Sequence, residues 1–77
     1  MEHDQVMAAV HAGQLLEAVV TPADQSDGWV LLLLSPSGEQ VPYTTVTGAS
    51  KVFHTLDRAT EVAHELGFAT IRVEERF

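Results

Sequence analysis

Six consecutive apolar residues, Trp29-Val30-Leu31-Leu32-Leu33-Leu34, constrain this chain more than any other segment. The run is far shorter than the roughly 20 residues a helix needs to span a bilayer, so it reads as a buried strand. As a strand it sends Trp29, Leu31 and Leu33 to one face and Val30, Leu32 and Leu34 to the other. A strand apolar on both sides calls for cover on both sides. That cover must come from 77 residues, a length at which folding hides only about 60% of the unfolded surface. The chain has no cysteine, which excludes disulfides and thiolate zinc sites as reinforcement. Its 45% hydrophobic content suits one globular domain, residues 1–77.

The segments around this run fall into recognisable elements. Val6, Met7 and Val10 recur at helical spacing between Asp4, a candidate cap, and Ala12, with Gly13 as a stop. Leu16–Thr21 reads as a strand ended by Pro22, and Ala23–Gly28 as the loop leading to Trp29–Leu34. Ser35-Pro36-Ser37-Gly38 supplies a tight turn, and Glu39–Val46 reads as the returning strand, with Pro42 forcing an edge or a bulge. Thr47–Ser50 is loop, and Lys51–Phe53 adds a brief extended piece. Thr55 is a good N-cap for a helix whose apolar stripe is Leu56, Ala59, Val62, Ala63 and Leu66, closed by Gly67 and Phe68. Ala69, Ile71 and Val73 then alternate with Thr70, Arg72 and Glu74 as a last strand. The expected fold is α+β, in the order α-β-β-β-(β)-α-β: a small, mainly antiparallel sheet with two helices on one face.

Two short helices can shield only one face of a four-stranded sheet. The other face should therefore be covered by a second copy, with Trp29, Leu31 and Leu33 as the expected self-association face and a homodimer as the expected state.

Charge narrows the choice of partners. Net charge is −7, and residues 1–50 hold six acids without one Lys or Arg. All four basic residues, Lys51, Arg58, Arg72 and Arg76, follow. Nucleic-acid binding rests on clustered cations that release phosphate counterions, so direct contact with nucleic acid is not expected. An anionic membrane is disfavoured by the same repulsion. Glu17, Asp24, Asp27 and Glu39 are the expected acidic partner face. The acidic amino terminus lacks the basic start of a secretory signal, so cytoplasmic residence is the expectation.

No catalytic set is legible. Glu61-x-x-His64 has the spacing of one di-iron half-motif, but such a site needs two copies and further glutamates. Asp24-x-x-Asp27-Gly28 lacks the ligand series of a calcium loop and reads as a turn. Gly48-Ala49-Ser50-Lys51 lacks the glycine spacing of a phosphate loop. His54 precedes a helix cap, and His3 and His11 are expected on the surface. Neither an enzyme nor a cofactor or metal is expected.

Gly28-Trp29 with its hydrophobic strand, Phe53-x-Thr55-Leu56-Asp57-x-Ala59, Leu66-Gly67 and Ile71-x-Val73 together span residues 28–75. This pattern resembles the small ParC-like partition-associated accessory proteins encoded with partition and replication modules of plasmids and integrative elements. The resemblance implies a non-enzymatic role in maintaining a mobile element through a protein partner. Its matched positions are structural, so it assigns no functional residue. The expectation is a protein-interaction module, and the alternative is an acidic inhibitor that imitates nucleic acid. A deep pocket lined with His54 or His64 would instead promote an enzyme or small-ligand binder. Under the first two readings the purified protein should give no gel shift with random duplex DNA at physiological salt. Micromolar, salt-sensitive binding would contradict the charge argument.

Overall fold

The computed structural model describes residues 1–23 and 27–74. Along the chain run α1 (His3–His11), β1 (Glu17–Pro22), β2 (Trp29–Leu34), β3 (Gln40–Pro42), α2 (Leu56–Glu65) and β4 (Thr70–Val73). The strands form one sheet in the order β3-β2-β1-β4. β1 with β2 and β2 with β3 are antiparallel, while β1 and β4 run parallel. The α+β class and the element order are those the residue pattern predicts.

The cap of α1 lies two residues before the expected Asp4. Glu2 is the N-cap, and its backbone N–H donates to Gln5 Oε1 at 3.1 Å. Asp4 therefore sits in the first turn, where its charge still meets the positive end of the helix. At the other end, Gly13 takes φ +76°, and the N–H groups of Gly13 and Gln14 reach the carbonyls of Val10 and Ala9. That left-handed residue satisfies carbonyls the helix leaves open. α2 follows its pattern closely: Thr55 accepts a hydrogen bond from the Arg58 backbone N–H at 3.1 Å, and Phe68 packs back into the core.

The expected return strand Glu39–Val46 is shorter than its pattern. β3 ends at Pro42, which has no N–H to continue a ladder. Tyr43 then turns its ring into the core, and the Thr44 N–H bonds to the Met1 carbonyl at 2.7 Å. Thr44 and Ser50 pair across a tight turn, and Phe53 returns to pair with Trp29. Gly28 admits this return, because a Cβ there would lie 2.6 Å from Val52 Cγ1 and 2.7 Å from the Phe53 carbonyl oxygen.

Both helices pack on the same side of the sheet. Val6 and Ala9 of α1 and Ala59, Val62 and Ala63 of α2 share one cluster with Ala18, Val20, Leu31 and Leu33. Register explains the membership, since Ala18 opposes Leu33 and Val20 opposes Leu31. Val19, Val30, Leu32 and Leu34 lie outside that cluster. Val19 stands in register between Leu32 and Arg72 and is 1% exposed, while Thr21, opposite Val30, is 4% exposed with its Oγ1 unpartnered. Among the described residues no helix is long and apolar enough to cross a membrane.

The two faces should respond oppositely to substitution. Leu66→Ala removes a core leucine and should cost about 2–4 kcal/mol in urea melts. Thr21→Val removes a buried unpaired hydroxyl at nearly constant shape and should leave stability unchanged or raise it by about 1 kcal/mol. A loss above ~1 kcal/mol for Thr21→Val would mean that the hydroxyl has a partner.

Candidate functional site

The residues expected at the self-association face do not occupy the helix-free side. Leu31 and Leu33 are fully buried beneath the helices, and Trp29 is partly buried against the same core. The side chains of β2 that face away from the helices are Val30, Leu32 and Leu34, each partly exposed. The pattern within β2 carries no sidedness, because both of its faces are apolar. The informative signal lies in β1, where Glu17 and Thr21 share a face with Val19 and oppose Leu34 and Val30. That polar-flanked side is the one the helices leave open.

The expected acidic face is likewise not gathered. Glu17 begins β1 opposite Leu34, close to the turn that holds Glu39. Asp27 precedes β2 at the far end of a six-residue strand, roughly 17–20 Å away. Asp24 lies outside the described residues. Glu17 is also matched by charge, since its carboxylate is 3.6 Å from Arg72 Nε. Among the described residues, Glu17, Asp27 and Glu39 are dispersed around the hairpin and do not form a single ridge.

A concave region lined in part by His54 lies elsewhere on the molecule. Tyr43, Phe53 and Val62 converge where the segment after β3, the segment before α2 and α2 itself meet, and they line a cleft of ≈ 500 Å³. Lys51, His54, Arg58 and Glu65 supply its polar groups, and His3 of α1 closes one side. His3, expected on the surface, is half-buried, and its Nδ1 lies 3.0 Å from the Tyr43 hydroxyl. The His3 ring meets the Tyr43 ring edge-on, and the Tyr43 and Phe53 ring centroids are 6.1 Å apart. Burial pushes the Tyr43 pKa above its ordinary value, helped by the Glu65 carboxylate and opposed by Arg58. The phenol therefore stays protonated and able to donate to His3. Arg58 reaches Glu61 at 2.7 Å and Glu65 at 3.9 Å, so its guanidinium is held over the rim. Lys51 has no carboxylate within 4.0 Å among the described residues.

These cleft residues come from α1, the segment after β3, the segment before α2 and α2 itself, so no spacing in the sequence announces them. The Glu61-x-x-His64 pair sits on the exposed side of α2, with Glu61 engaged by Arg58. Among the described residues no group of three His, Asp or Glu side chains gathers at metal-binding distances.

Comparisons with protein-family models, with curated proteins and with solved structures give no match.

Tyr43 also provides a pH signature. Its raised pKa means that the folded state holds this proton more tightly than the unfolded chain. The corresponding stability is complete below the ordinary tyrosine value of 10.0 and is lost as pH climbs through the folded value. Tyr43→Phe should remove that alkaline decline in urea melts. At neutral pH it should also cost about 0.5–1.5 kcal/mol for the lost His3 contact. An unchanged alkaline slope in the variant would assign the decline to other groups.

Proposed function

We propose that this chain is a non-enzymatic protein-interaction module that pairs with a second copy through the helix-free face of its sheet. The observation that carries this reading is the row Val30, Leu32 and Leu34, apolar side chains excluded from the helix-covered core. Pro42 and Gln40 of β3, in register with Leu32 and Leu34, border the row on one side. Val19 and then the polar Thr70 and Arg72 border it on the other. Contact centred on β2 and β3 and fading toward β4 fits this gradient. Pairing would bury the row and enlarge the small core of a 77-residue chain.

The biological setting we propose is an accessory role in the partition or maintenance of a mobile element. It rests on the residue pattern shared with ParC-like partition-associated proteins. Net charge −7 favours a protein partner over direct DNA contact in that role. The competing reading, a nucleic-acid mimic, calls for carboxylates spaced along one ridge. The dispersal of Glu17, Asp27 and Glu39 lends it no support.

Light scattering over a concentration series tests the module. The wild-type chain should show about twice the 8.4 kDa protomer mass, and Leu32→Glu should return it to the protomer mass with an unchanged circular dichroism spectrum. A wild-type mass near 8.4 kDa up to millimolar concentration would reject pairing. A dimer that survives Leu32→Glu would place the contact elsewhere.

A further inference from the structure

The cleft between Tyr43, Phe53 and α2 lies on the helix side of the sheet, away from the proposed pairing face, and it has a chemistry of its own. Two of the four basic residues in a chain of net charge −7, Lys51 and Arg58, stand at its rim. His54 stands beside them, and Glu65 is the lone carboxylate among the lining residues. The rim thus gathers two cations of an otherwise anionic protein. Glu61 at 2.7 Å and Glu65 at 3.9 Å offset Arg58 in part, and Lys51 is left without a described partner. Deeper in, Phe53 and Val62 present an apolar wall, with Val52 above them at 36% exposure. The cleft volume of ≈ 500 Å³ lies within the usual range for small-molecule sites and well above what a single inorganic ion fills. The group with a shifted pKa among the described residues, Tyr43, lies at this same place.

We propose that the cleft binds a small organic anion with a flat apolar body. Its anionic group would be held by Lys51 and Arg58, and its body would lie against Phe53, Val52 and Val62. Two cations lining the same cleft as an apolar wall select against both halves alone. A bare anion leaves the wall wet, and a neutral ring forgoes the charge-assisted hydrogen bonds that are about twice as strong as neutral ones. Lys51 and Arg58 are exposed and the ion pairs of Arg58 are superficial, so substituting either should leave the fold in place.

Backbone amide shifts in two-dimensional NMR provide the test, with benzoate as the probe and acetate and benzamide as its two halves. Benzoate should give saturable shifts at Lys51, His54, Arg58 and Val62. Benzamide should bind at least about 10-fold more weakly for the charge-assisted contact it lacks, and acetate at least about 10-fold more weakly for the apolar burial it lacks. Lys51→Ala combined with Arg58→Ala should weaken benzoate by a similar factor while leaving the remaining spectrum in place. Leu32→Glu, which alters the pairing face, should leave benzoate binding unchanged, so failure of the pairing proposal and failure of this one are separable. The proposal is overturned if benzoate gives no saturable shift, if benzamide binds as well as benzoate, or if the double variant binds benzoate with wild-type affinity.

Discussion

The reciprocal pair between Trp29 and Phe53 is the contact on which the rest of the structure depends. The Trp29 N–H reaches the Phe53 carbonyl at 2.8 Å, and the Phe53 N–H returns to the Trp29 carbonyl at 2.7 Å. These two hydrogen bonds tie the start of the central hairpin to the segment entering α2. Gly28 makes the approach possible, since any side chain there would collide with Val52 and with the Phe53 backbone. Two residues further on, Thr55 caps α2, so the pair also fixes where that helix begins and which stripe it lays on the sheet. The cleft follows from the same contact, because Phe53 forms its wall and His54 its rim.

Much of the architecture could be read from the residues because local signals and burial agree. α2 is the clearest case: its cap, stripe, Gly67 stop and Phe68 return all point the same way, and each is where the pattern puts it. β4 follows its pattern only in part. Ile71 packs on the core while Thr70 and Arg72 are exposed, but Val73, expected on the same apolar face, is 40% exposed on this edge strand. Where local rules compete, the pattern overreaches. Glu39–Val46 looks extended throughout, yet Pro42 halts the ladder and burial of Tyr43 bends the chain away.

The orientation of β2 was illegible for a different reason. Two apolar faces are equivalent under a period of two, so only register with a half-polar neighbour can choose between them. Glu17 and Thr21 make that choice, but the six-residue loop Ala23–Gly28 is too long for turn geometry to set the register in advance. The cleft was hidden more thoroughly, since His3, Tyr43 and Arg58 become neighbours only through tertiary packing.

The position of β4 has a consequence for the order in which the domain assembles. β4 runs parallel to β1, with Glu17 in register with Thr70, a separation of about fifty residues that makes the pairing slow to find. β1 occupies an inner place in the sheet, yet one of its neighbours is made only after β2, β3 and α2. Until then the nascent hairpin presents an open edge along Val19 and Val20, and α2 lacks the strand on its far flank. The sheet therefore closes only after α2 has been made. In the interval, a chaperone that shields bare strand edges would protect this chain more than it would a protein whose strands pair in sequence order.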